Sequence, residues 1–229
     1  APSRQRAQAF ILGGLVLVND RPSTKAGTRF DEDIPIRLKG PDHPFVSRGG
    51  LKLKAAIEAF NPTIKGAIAA DLGASTGGFT DCLLQHGAGK VYAIDVGYGQ
   101  LAWKVRKDDR VVVMERTNAR HLETLEDPID LVVGDLSFIS LSLILPAIAK
   151  ISQKSADCLL LVKPQFEVGR EAIAKGGLVH DEAARQEAVQ KVLLDAQRKG
   201  FEALGHIESP IVGAKSGNVE YLVHLRTPS

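Results

Sequence analysis

The chain has 229 residues, 44% of them hydrophobic and 24% charged, an ordinary composition for a globular protein with one sizeable core. Its 29 Lys+Arg stand against 27 Asp+Glu, a net charge of +2, so overall basicity gives no ground for nucleic-acid binding. Two cysteines, Cys82 and Cys158, exclude a disulfide framework or a Cys-based zinc cluster, and no apolar run reaches the roughly 18 residues of a membrane span.

Residues 1–6 are polar and basic with no apolar stretch behind them, so no signal peptide is expected. The chain does not open on Met, which fits a processed or partial chain. Residues 4–12 read as a short helix that Ser3 can cap and Gly13-Gly14 stops. Residues 15–18 form a strand ending at the turn signal Asn19-Asp20. A second strand, 34–38, carries Pro35 and so belongs at an edge. Residues 39–44 have the composition of a linker.

From residue 51 the pattern changes. Apolar residues at 51, 53, 56, 57 and 60 make a helical face. Strands are then expected at 67–72, 91–95, 111–115, 129–134 and 158–162, with helices at 76–86, 99–107, 140–150 and 182–199. That alternation implies a parallel sheet covered on both faces. The strands near 203–207 and 221–225 have no helix between them, only a turn around Lys215, and should run antiparallel. The layout is a Rossmann-like α/β methyltransferase sheet of seven strands with an antiparallel last strand.

Charge is unevenly spread. The first 60 residues hold ten Lys+Arg and six Asp+Glu, a net of +4, which leaves −2 for the rest. A basic front on a near-neutral body fits an RNA-contacting module joined to something else, although such an imbalance also arises by chance.

Asp71 to Phe79 lies where the first parallel strand meets a helix. Its small residues let a ligand approach the backbone, and the helix start offers free amides. Asp95, 22 residues past Gly73, closes the next strand, where a carboxylate can accept both hydroxyls of a ribose. A dinucleotide would want glycine where Ser75 stands. Asp71 would repel a phosphate but suits the ammonium of S-adenosylmethionine, which favours methyl transfer over hydride transfer.

Four further charged residues stand out. Asp135 closes the fourth parallel strand and Lys163 the fifth, so both belong at the carboxyl edge where ligands bind. Lys52 begins the helix before the first strand, and Glu220 begins the last strand. A lysine after a buried strand needs an acidic partner. Two lysines and two acids converging could hold one lysine so that it orients or deprotonates an alcohol, with a ribose 2′-hydroxyl as the natural choice. Taken singly, each could be a surface ion pair. Phe166 or Tyr221 could face a flipped base.

The stretches SRGGLKL (47–53), DLGASTGGFTD (71–81), DVGYGQLAW (95–103), ERTNAR (115–120), DLSFISL (135–141), LVKPQFEVGR (161–170), GGLVHD (176–181) and SGNVEYLVHLR (216–226) resemble the TlyA, or haemolysin-A-like, family. The resemblance implies an S4 RNA-binding domain joined to an FtsJ-like methyltransferase domain. It divides the chain into a partial S4-like domain (1–40), a linker (41–48) and the methyltransferase (49–229), with a further S4 helix expected ahead of Ser3. It implies S-adenosylmethionine-dependent 2′-O-methylation of cytidine ribose in 16S and/or 23S ribosomal RNA, in the cytoplasm, with ribosomal RNA or subunits as partner and no membrane. It implies the catalytic tetrad Lys52, Asp135, Lys163 and Glu220, with Lys163 central. Cofactor contacts are expected from Asp71, Gly73, Ser75, Thr76, Gly77, Gly78 and Phe79. Asp95 on the ribose side, Asn118 on the adenine side, Val96 and Asp135 would join them. RNA contacts are expected from Arg4, Arg6, Arg21, Lys25, Arg48 and Arg170, and no metal is expected. Two alternatives stand beside it: a non-catalytic RNA-binding ribosome-assembly factor and, suggested only by the family's haemolysin label, a haemolysin acting on membranes.

Overall fold

The computed structural model describes residues 3–39, 43–214 and 216–229, with the backbone alone at Arg6. The expected linker at 41–48 falls partly outside the described residues, as do Lys215 and the side chain of Arg6. The chain divides into two compact units, Ala1–Pro44 and Phe45–Ser229.

The first unit is a helix and a small sheet. Helix α1 (Arg4–Leu12) closes its first turn with the Ala7 amide on the Ser3 carbonyl, 3.0 Å. Strand β1 (Val16–Val18) lies between β2 (Arg21–Pro22) and β3 (Ile36–Leu38), antiparallel to both. Asn19 and Asp20 adopt φ 49° and 64°. Two left-handed residues make the tight turn whose twist matches a hairpin, and Asn and Asp tolerate that region best. Strand β2 is two residues ending in proline, too short to show any alternation in the sequence.

The second unit carries a seven-stranded sheet. In chain order it comprises α2 (Gly49–Phe60), β4 (Ile68–Leu72), α3 (Gly78–Gln85), β5 (Lys90–Ile94), α4 (Trp103–Arg106), β6 (Val111–Met114), β7 (Ile129–Gly134), α5 (Leu145–Ile151), β8 (Ser152–Val162), α6 (Glu182–Arg198), β9 (Glu202–Glu208) and β10 (Tyr221–Arg226). The strand order is β6-β5-β4-β7-β8-β10-β9. Strands β4 to β8 are mutually parallel, and β10 runs antiparallel to both neighbours. This is the expected sheet with its reversed last strand.

Local chemistry shifts three expected elements. The helix at 99–107 shrinks to α4, because Gly99 takes φ 70° and Ala102 is extended. The helix at 140–150 becomes a short 3-10 turn, Leu141–Leu143, followed by α5 with Pro146 in its first turn. Strand β8 starts six residues before the expected 158, at Ser152; its first four residues are polar and at least partly exposed, with Ser155 at φ 57°.

Each face of the sheet is covered. Leu72, Ile94, Val132 and Leu160 pack with α5 and α6, through Leu145, Ile148, Val189 and Val192. Ala69, Val91, Val133 and Leu161 pack with α2 and α3, through Leu53, Ala56, Phe79 and Leu83. Each such large apolar side chain removed from water contributes about 1.5–3 kcal/mol, which holds the strand ends in place. Helix α2 sits close because of Gly50, where a Cβ would stand 2.3 Å from the Phe45 ring. The strand order reverses beside β4, and the crevice of such a sheet opens there at the carboxyl ends.

Candidate active site

Four charged side chains reach this crevice by different routes. Asp135 directly follows β7 and Lys163 directly follows β8, neighbouring parallel strands that end at one edge. Lys52 lies in the first turn of α2. Glu220 directly precedes β10, whose reversed direction brings its beginning to that same edge, Tyr221 pairing Val162.

They form one connected chain. Lys52 Nζ lies 2.6 Å from Glu220 Oε2 and 3.3 Å from Asp135 Oδ2. Lys163 Nζ lies 2.6 Å from Asp135 Oδ1 and 2.7 Å from Ser137 Oγ. Lys52, Lys163 and Glu220 are buried, while Asp135 retains about a quarter of its exposure. Removing an ion from water costs several kcal/mol, and these charges survive burial because each has an opposite partner. All four line a cavity of about 680 Å³ that Ser137, Phe138 and Phe166 share.

The loop after β4 forms the adjoining wall. Gly73 has φ 85°, and a Cβ there would sit 2.9 Å from the Asp135 carbonyl oxygen. Gly73, Ser75, Thr76, Gly78 and Phe79 line the cavity. Gly77, at φ 93°, instead starts α3 and faces Leu101 and Val105. Asp95 is tied to the loop: it accepts the Ser75 amide at 2.8 Å and the Gly97 amide at 2.6 Å. Each oxygen keeps a second lone pair for a ligand hydroxyl.

Asp71 lies beneath the loop with no solvent exposure. Its Oδ2 accepts the Thr80 hydroxyl at 2.6 Å, while its buried Oδ1 has no partner among the described residues. Burial pushes its carboxyl up to about 7; the Thr80 hydrogen bond opposes this, and the charges of Asp135 and Asp95 add to it. A buried acceptor left unmatched favours a cationic donor. With the small-residue loop and the Asp95 carboxylate, this donor set fits S-adenosylmethionine, which carries an ammonium, a ribose and no phosphate.

Not all of the other expected residues line the cavity. Val96 is 68% exposed and Asn118 is exposed, its Oδ1 capping the Ala119–His121 turn through the Arg120 amide. Arg48 lines the cavity, whereas Arg170 is exposed outside it. Arg4, Arg21 and Lys25 are exposed on the first unit. Tyr221 is buried in the core and cannot stack on a base; Phe166 does line the cavity.

Two residues escape a sequence reading that stops at Asp135. Ser137 binds Lys163, and Phe138 is 90% exposed at φ 65°, its ring 5.3 Å from that of Phe166. The signal was their place directly after a strand-terminal acid. Two clamps hold the cavity walls. Buried Glu167 accepts the Ser140 hydroxyl at 2.6 Å and the Leu141 amide at 2.8 Å. Buried Asn218 donates to the Gly177 carbonyl at 2.8 Å and accepts the Val179 amide at 2.9 Å.

A family model described as FtsJ-like methyltransferase matches residues 45–227. The 16S/23S rRNA (cytidine-2′-O)-methyltransferase TlyA of Mycobacterium tuberculosis is 47% identical over 230 residues, covering 99% of this chain and 85% of that relative. Hemolysin A of Brachyspira hyodysenteriae is 42% identical over 225 residues, covering 97% and 93%. A solved hemolysin-named structure from Streptococcus thermophilus superposes with a TM-score of 0.82 at 44% identity, covering 99% of this chain and 84% of that one. The chain belongs to the FtsJ-like methyltransferase family.

Proposed function

We propose that the protein methylates the 2′-hydroxyl of a ribose in ribosomal RNA, at cytidine, using S-adenosylmethionine. The observation that carries this reading is the buried Glu220–Lys52–Asp135–Lys163 chain opening onto a cavity walled by the loop from Gly73 to Phe79.

The cofactor, when bound, supplies an electrophilic methyl carbon on a sulfonium. Asp71, the loop and Asp95 would hold it, and Lys163 lines the same cavity as the loop. Lys163 Nζ would orient the ribose hydroxyl and take its proton as that oxygen accepts the methyl group. The products are a 2′-O-methyl ether and a neutral thioether. Asp135 holds the resulting ammonium, and the Lys52–Glu220 pair fixes Asp135. Burial makes these charges act strongly on one another and keeps them preorganised.

The first unit reads as the S4-like RNA-binding part, with Arg4, Arg21 and Lys25 exposed to meet phosphates. Arg48, on the cavity rim, would meet the phosphate of the nucleotide being modified. The activity belongs in the cytoplasm, beside ribosomal subunits. A non-catalytic assembly factor would have no use for a costly buried four-charge chain. No helix among the described residues is long and apolar enough to cross a membrane, so the haemolysin reading gains no support here.

The test is transfer of labelled methyl from S-adenosylmethionine to purified ribosomal subunits, with the modified nucleotide mapped by mass. Transfer to a cytidine 2′-oxygen is expected, and Lys163→Ala should abolish it while cofactor binding persists. Normal turnover by that variant would remove the mechanism.

A further inference from the structure

Ser137 has no part in the four-charge chain, yet its hydroxyl oxygen lies 2.7 Å from Lys163 Nζ. The Asp135 carboxylate lies 2.6 Å from the same nitrogen. All three residues line the cavity. To take a proton, the lysine must present a neutral amine, which carries two N–H bonds and one lone pair. Asp135 Oδ1 and Ser137 Oγ are two acceptors for those two N–H bonds. The nitrogen is tetrahedral and Cε occupies one direction, so the remaining one holds the lone pair. We infer that Ser137 is a positioning residue that turns the Lys163 lone pair toward the substrate hydroxyl.

Asp135 alone would leave one N–H free to rotate. That N–H could then point at the incoming oxygen, where a donor blocks proton abstraction. Ser137 removes this option through a short contact from the same segment that carries Asp135. Its placement is set by the backbone: the next residue, Phe138, adopts φ 65°, a strained conformation for a non-glycine residue that turns the chain sharply. Ser137 meets Lys163 while the Phe138 ring stays 90% exposed.

The inference rests on the reading of Lys163 as the proton acceptor, and its test separates the two. Ser137→Ala, Ser137→Thr and Lys163→Ala are assayed together on ribosomal subunits, with kcat, KM and cofactor affinity measured for each. Ser137→Ala should lower kcat roughly 10- to 100-fold while leaving KM and cofactor affinity within about two-fold. Ser137→Thr, which keeps the hydroxyl, should recover most of kcat. An active wild type and a dead Lys163→Ala beside an unimpaired Ser137→Ala would overturn this inference and leave the function reading standing. So would a Thr variant as slow as Ala, or a loss confined to KM, since loop support alone predicts both. A fully active Lys163→Ala would overturn both readings.

Discussion

The ammonium of Lys52 and the carboxylate of Glu220 lie 2.6 Å apart, although 168 residues separate them in the chain. The contact joins the first helix of the methyltransferase unit to the start of its last strand, and both side chains are buried. Lys52→Ala would leave Glu220 without its cation inside the protein and Asp135 with Lys163 alone. A broken buried pair costs about 3–5 kcal/mol. That loss is expected in urea denaturation of Lys52→Ala. The double variant Lys52→Ala/Glu220→Ala should be destabilised by less than the sum of the two single variants, because it leaves fewer charges stranded. Strict additivity would mean the pair does not act as one unit.

Asp71 makes stability depend on pH. Its folded carboxyl titrates at about 7 because of burial, against an ordinary value of 3.8. The folded state therefore holds its proton more tightly than the unfolded chain does. The stability this gives is complete below about 4 and is lost as pH rises through about 7. Asp71→Asn keeps an acceptor for Thr80 and carries no charge. It should match or exceed the wild type at pH 8 and lack the wild type's decline between pH 5 and 8. Chemical denaturation at both values checks this, and identical slopes would remove Asp71 as the source.

Phe138 is a strained residue with an exposed ring beside Phe166 at the cavity. A base entering with its ribose would stack there. Stacking on an aromatic side chain is worth about 1–3 kcal/mol per base. Phe138→Ala should therefore raise KM for ribosomal subunits about 5- to 150-fold without changing cofactor affinity. Phe138→Gly should show the same kinetic defect with a higher melting temperature, since glycine adopts φ 65° without strain. An unchanged KM in both variants would mean the base binds elsewhere.

Most of the sheet was legible because five of its strands, β4 to β7 and β10, are largely apolar runs of four to six residues, as at Ile129–Gly134. The four charges proposed as catalytic were legible because each stands directly at a strand end or in a helix's first turn, as Lys163 does after Val162. What stayed hidden depends on three-dimensional direction. The sequence cannot say that Tyr221 turns into the core while Phe138, in a left-handed turn, turns out. Nor does it show that Gly77 serves packing against Leu101 while Gly73 and Gly78 border the cavity. The polar start of β8 has no apolar pattern to announce it.

Asp71 is also expected to couple cofactor binding to protons. The Asp71 carboxyl is pushed up to about 7 by burial, and its Oδ1 has no partner among the described residues. A cation arriving there favours the ionised carboxylate, so binding below that value must expel a proton. Affinity for S-adenosylmethionine should rise with pH between 6 and 8 and level off above. Calorimetry in buffers of different ionisation enthalpy should detect proton release at pH 6 and little at pH 8.5. In Asp71→Asn the affinity should be weaker and flat over the same range. Strong, pH-independent binding by the wild type would place the ammonium away from Asp71, leaving its orphan oxygen to another donor.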